Sequence, residues 1–172
     1  MAVANTKSTA ITNADATPVV LTNSAFHGGV KYVAKGICEV LAADDDGSVY
    51  RFVRLPSNAI IHSIKIRNDA ITGGTSYDCG IYRTAADGGA VVDADLFASA
   101  VDISAGLAGT ELRFEAATTA IIDYAEYRLW QIADVGAATY ATDPGFMFDL
   151  CLTANTVGSS AGTILLEVEY SV

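Results

Sequence analysis

The segments FMFDLCLT (146–153) and TILLEVEY (163–170) decide how this chain folds. In the first, Phe146, Phe148, Leu150 and Leu152 alternate with Met147, Asp149, Cys151 and Thr153. In the second, Ile164, Leu166, Val168 and Tyr170 alternate with Thr163, Leu165, Glu167 and Glu169. A period of two places successive side chains on opposite faces of an extended chain, so each segment reads as a strand with one buried face and one wet face. Their adjacency suggests that the two pair as a hairpin. Ile64 and Ile66 alternate with Lys65 and Arg67 in the same way.

Working outward, short β-like runs separated by turn residues recur along the chain. Strands are expected at about Val19–Leu21, Val30–Leu41, Val49–Arg54, Ala59–Arg67, Tyr77–Tyr82 and Glu111–Phe114, besides the two above. Turns fall at Asp44-Asp45-Asp46-Gly47-Ser48, Thr72-Gly73-Gly74-Thr75 and Asp87-Gly88-Gly89, where glycine supplies positive φ and Asp caps the local backbone. Leu55-Pro56-Ser57-Asn58 should end a strand, since proline cannot donate to a ladder. Two short helices are expected. One is DADLFASAV (93–101). The other starts at Asp123-Tyr124-Ala125-Glu126, which has the form of a capping box, and places Leu129, Ile132 and Val135 on one stripe, with Trp130 covering an end or edge of the sheets. The fold expected from these runs is all-β, mainly antiparallel, a sandwich or barrel of about eight strands with one or two short helices. Residues 1–16, rich in Ala, Thr and Asn without periodicity, should form a flexible or extended N-terminal arm, and residues 17–172 a single β-sandwich domain.

Composition narrows the function. Of the 172 residues 51% are hydrophobic and 17% charged, which rules out disorder for the whole chain. A net charge of −10 repels a phosphate backbone, so nucleic acid is not an expected partner. No apolar run approaches the roughly 18–20 residues that cross a bilayer, and no basic-then-apolar leader opens the chain, so no membrane is expected either and synthesis is expected in a cytoplasm.

Gly158-Ser159-Ser160-Ala161-Gly162 matches the nucleophile elbow G-x-S-x-G. That elbow needs a helix after the serine, whereas a strand follows Ser160 here, so the segment reads as a small-residue turn. His27 and His62 lack the spaced partner of a metal-binding element. Cys38, Cys79 and Cys151 each sit in an apolar stretch and read as small buried hydrophobes rather than as a disulfide or metal site. The Asp44–Asp46 run lacks the ligand spacing of a calcium loop. Glu167 and Glu169 share one strand face and suggest a solvated, edge-protecting pair. With no nucleotide-binding glycine motif present, no catalytic residue, cofactor or metal is assigned, and the protein is expected not to be an enzyme.

The stretch SVYRFVRLPSNAIIHSIKIRNDAITGGTSYDCGIYRTAADGGAVVDADLFASAVDIS (48–104) resembles the small structural proteins encoded among the head genes of tailed bacteriophages. The resemblance, over roughly residues 30–170, is to jelly-roll capsid decoration, or cement, proteins. It implies a jelly-roll-like β-sandwich, and a homodimer or homotrimer bound to the major capsid protein on the virion exterior, bridging neighbouring capsomers. The alternative is a carbohydrate- or receptor-binding β-sandwich module of a phage tail or similar assembly. In that case Tyr77, Tyr82, Trp130 and Tyr140 would form an exposed stacking platform.

Overall fold

A computed structural model of the protein describes residues 6–21, 30–112, 127–132 and 140–172. They fall in two compact units, Met1–Val30 and Lys31–Val172. In the first, Thr9–Ala14 forms a short helix, α1, where an extended or mobile course was expected. Ser8 caps it by accepting from the Ile11 N–H, and Thr12 donates back to the Ser8 carbonyl. Val19, Val20 and Leu21, expected as a strand, are not in one: no partner strand takes their backbone groups, and their side chains are 50–91% exposed.

The second unit is a two-sheet sandwich. Its strands are β1 (Tyr32–Val40), β2 (Val49–Pro56), β3 (Ile60–Asn68), β4 (Ser76–Arg83), β5 (Val91–Val101), β6 (Ala108–Glu111), β7 (Met147–Thr156) and β8 (Gly162–Ser171). One sheet, A, runs β1-β8-β3-β6 and the other, B, runs β2-β7-β4-β5. Every described pairing is antiparallel. The chain changes sheet at every described connection except β4 to β5, which gives the strand order of a jelly roll.

The hairpin expected between β7 and β8 does not form. Each is the inner strand of a different sheet: β7 lies between β2 and β4, and β8 between β1 and β3. Alternation fixes which side chains turn inward but not which strand lies alongside. The turn between them also demands a crossing. Gly158, at φ +98, packs so closely on the Thr72–Gly74 turn that an added Cβ would lie 2.7 Å from the Gly74 nitrogen. Since β8 is internal, Glu167 and Glu169 do not protect an edge.

The core is filled from both sheets by Ile64, Ile66, Leu166 and Val168 of sheet A and by Leu55, Ile81, Phe148 and Leu150 of sheet B, all essentially inaccessible. Each such side chain contributes about 1.5–3 kcal/mol by leaving water. Segment 93–101 joins this core as strand β5, not as a helix. Its period is hidden by bulges, which pair Cys79 with Ala98 but Ile81 with Asp93. The added residues bury Phe97 and Ala98 at irregular spacing. The second expected helix contracts to one 3-10 turn, Leu129–Gln131, while 123–126 and Val135 lie outside the described residues. Leu129 and Ile132 are buried, and the Leu129 and Trp130 amides donate to the Ala59 and Ser57 carbonyls, tying this turn to the β2–β3 corner.

Candidate functional site

The fold offers two broad outer faces, and they are finished differently. On sheet B the outward residues of β7 are Met147, Asp149, Cys151 and Thr153. Asp149 is only 5% exposed and Cys151 is fully buried. Register explains the cover: Arg54 of β2 lies opposite Asp149, Arg51 lies opposite Cys151, and Tyr82 of β4 flanks Asp149 on the other side. Asp149 accepts from Arg54 Nε at 2.7 Å and from Arg51 Nη1 at 3.1 Å. Burial pushes the Asp149 carboxyl up, but the hydrogen bonds from Arg54 and Arg51 outweigh it, so the group sits below the usual range. Arg51 also donates to the carbonyls of Arg83 and Gly89 and lies over the Tyr82 ring, pinning the 84–90 loop across the sheet. A depression of about 370 Å³ remains, lined by Arg51, Phe52, Val53, Arg54, Ala85 and Asp149. Its one carboxylate is engaged by Arg51 and Arg54.

Sheet A is open. Its outward residues are Val33, Lys35, Ile37 and Glu39 on β1, Thr163, Leu165, Glu167 and Glu169 on β8, and Lys65 and Arg67 on β3. Val33 is 56% exposed and Ile37 65%. Ion pairs cross it from Lys35 to Glu167 at 2.8 Å and from Lys31 to Glu169 at 3.1 Å. The Lys35 ammonium holds the Glu167 carboxyl below its ordinary value, with Arg67 and Lys65 adding to the effect. Sequence reasoning missed both constellations, Arg51–Arg54–Asp149 and the charged rows of sheet A. Their members are far apart in the chain, and only strand register brings them together.

The sequence-derived candidates are dispersed. Ser160 accepts from the Thr72 N–H at 2.8 Å as part of the crossing turn. His62 lies against Ser171 at 3.0 Å between β3 and β8, and His27 is outside the described residues. Asp44 accepts from the Leu41 N–H and the Tyr50 hydroxyl, and Asp46 from the Val157 N–H, so both carboxylates shape loops. Cys79 and Cys151 are buried, whereas Cys38, expected to be buried, is half-buried where the edges of β1 and β2 meet and donates to the Arg51 carbonyl. The four aromatics form no exposed platform. Tyr77 points into the core, fully buried, with its hydroxyl on the Val157 carbonyl, and Tyr82, on the opposite face of β4, is 7% exposed. Trp130 and Tyr140 are half-buried.

The body is therefore an eight-stranded jelly roll carrying one sealed and one open sheet face. No family profile and no curated sequence matches the chain. Among solved structures it is similar to a chain of the capsid of Ralstonia phage GP4, with a TM-score of 0.57 and 16% identity over 83% of this chain and 84% of that one. It is also aligned with a chain of the Cyanophage Pam1 capsid asymmetric unit, at a TM-score of 0.46 and 14% identity over 85% and 87% of the two chains. What is shared is the fold.

Proposed function

We propose that the protein is a structural component of a phage virion that binds the outside of the capsid and stabilises it by bridging neighbouring capsomers. The observation that carries this reading is the similarity of the jelly-roll body to a chain found in a phage capsid, over most of both chains. The open sheet A face supports it, because a coating protein needs broad contact area rather than a cleft. The net charge of −10 suits a protein working outside the shell, away from packaged DNA. Its partners are the major capsid protein and further copies of itself, as a homodimer or homotrimer. Residues 1–16 serve as an arm that reaches a neighbour. The exposed Ile11 of α1, in the same N-terminal unit as the exposed Val19–Leu21, gives that arm apolar contact area.

Antibody labelling of intact, DNA-filled particles tests the reading. Particles from a lysate of cells carrying the gene should contain the protein by mass spectrometry and bind the antibody on their surface. Its absence from purified particles ends the proposal, and presence without surface labelling ends the exterior placement. Deletion of residues 1–16 should leave the body folded and lower particle occupancy.

A further inference from the structure

The register of sheet A sets four charged residues side by side. Lys35 of β1 lies opposite Glu167 of β8, Glu167 opposite Lys65 of β3, and Lys65 opposite Glu111 of β6. Across the sheet, in strand order, the row reads plus, minus, plus, minus. Within the chain this relieves repulsion between neighbours. Its symmetry has a second effect. The row changes sign when reversed about its midpoint between β8 and β3.

A two-fold axis lying in the plane of contact, parallel to the strands and through that midpoint, reverses the row. Glu167 then meets Lys65 of a second copy, and Lys35 comes over Glu111, whose carboxylate also accepts from Ser63 Oγ and the Ile64 N–H of its own chain. In the next row, which runs Ile37, Leu165, Arg67, the same axis lays Leu165 against the aliphatic stem of the second Arg67. An axis along the row would instead set like charge on like, so the pattern selects one packing and disfavours the other. The contact is isologous, the self-complementary kind that closes a dimer.

We propose that the outer face of sheet A is the self-association surface of this protein, closing a face-to-face two-fold dimer in which Glu167 pairs with Lys65 of the second copy. The exposure of Val33 and Ile37 beside the charged row supplies the apolar part of the contact. Sheet B offers no equivalent, because Arg51 and the loop it pins seal the middle of that face. The area is adequate. Four strands about 4.8 Å apart with a rise of about 3.3 Å per residue present on the order of 500 Å² per copy, roughly 1,000 Å² in total, which is the lower end of specific interfaces. An interface of this size is that of a weak, reversible dimer. The dimer deepens the self-association named above, but its test uses purified protein alone and stands apart from the capsid reading.

Sedimentation equilibrium of the purified full chain, from about one to several hundred micromolar, should show a monomer–dimer equilibrium. Lys65→Glu or Glu167→Lys puts like charges across the interface and should raise the dissociation constant at least about tenfold. The double variant K65E/E167K makes the row plus, plus, minus, minus, which still changes sign on reversal. Its dimer should therefore return to within about threefold of the parent. Ile37→Asp changes an exposed β1 position that cannot disturb the core, and it should weaken the dimer even if a charge variant folds poorly. A monomer throughout, a dimer indifferent to K65E and I37D, or a double variant weaker than both singles would overturn the proposal. Monomeric protein that still decorates particles overturns the dimer alone; a dimer absent from particles overturns the capsid reading alone.

Discussion

Replacing Asp149 by Asn keeps the shape of the side chain and removes its charge, which tests what seals the outer face of sheet B. Asp149 is 5% exposed, and its two arginines differ: the Arg51 side chain is 34% exposed and that of Arg54 53%. Breaking a fully buried pair from one side costs about 3–5 kcal/mol, because the remaining charge is stranded. Arg51 is held in place by the Arg83 and Gly89 carbonyls and cannot turn freely to water, whereas Arg54 can. The expected loss is therefore below the full value, at about 2–3 kcal/mol, carried by the Arg51 side. For a domain of this size that lowers the melting temperature by about 5–10 °C. Thermal unfolding followed by circular dichroism at neutral pH measures it, and urea unfolding gives the free energy directly. Arg54→Met should cost clearly less than Asp149→Asn, and in the double variant R51M/D149N the two effects should fall short of additive. A melting point for Asp149→Asn within about 2 °C of the parent would refute the argument that this carboxylate anchors the face.

Acid should destabilise the protein in a definite direction. The Asp44, Asp102, Asp143, Asp149 and Glu167 carboxyls all lie below their ordinary values: Asp44 through the Leu41 N–H and then Tyr50, Asp102 through Ser104, Asp143 through Ser57 and then the Gly145 N–H. A folded-state value below the unfolded one gives stability that is complete above the unfolded values of about 3.9–4.3 and is lost as pH falls through the folded ones. Melting temperatures should be level through neutral pH and drop below about pH 4, and a melting point unchanged at pH 2 would contradict this. Gly36→Val should destabilise severely, by about 2 kcal/mol or more, or prevent folding, because a Cβ there runs into the Phe52 carbonyl where β1 meets β2. Urea unfolding measures it, and a tolerated valine would mean the two edges are not in contact. Under native conditions a thiol reagent should leave Cys79 and Cys151 untouched and modify Cys38 first, and then slowly. Burial raises all three thiols, Cys151 to about 12, and Cys38 is the half-buried one. Peptide mapping after brief labelling identifies the order, and early modification of Cys79 would contradict the packing.

The two halves of the molecule were legible to different degrees. Alternation in 146–153 and 163–170 named the inward residues Phe148, Leu150, Leu152, Ile164, Leu166 and Val168 correctly, and the sandwich class followed from turn spacing, but the count of eight agrees only because β5 takes the place of the strand expected at Val19–Leu21. A side chain's face is a local property of extended backbone, so one strand's own sequence records it. Segment 93–101 was misread because the bulges in β5 break that local record. Which strand lies beside which is not local. The separation of β7 and β8 into different sheets, the clasp of Arg51 and Arg54 on Asp149, and the charged row Lys35, Glu167, Lys65 and Glu111 all depend on register between residues as much as 132 positions apart. The sequence by itself determined a β-sandwich with a known inner lining and an acidic exterior. Tertiary structure alone decided which outer face is sealed and which is open, because that is set by crossings and pairings that no single segment encodes.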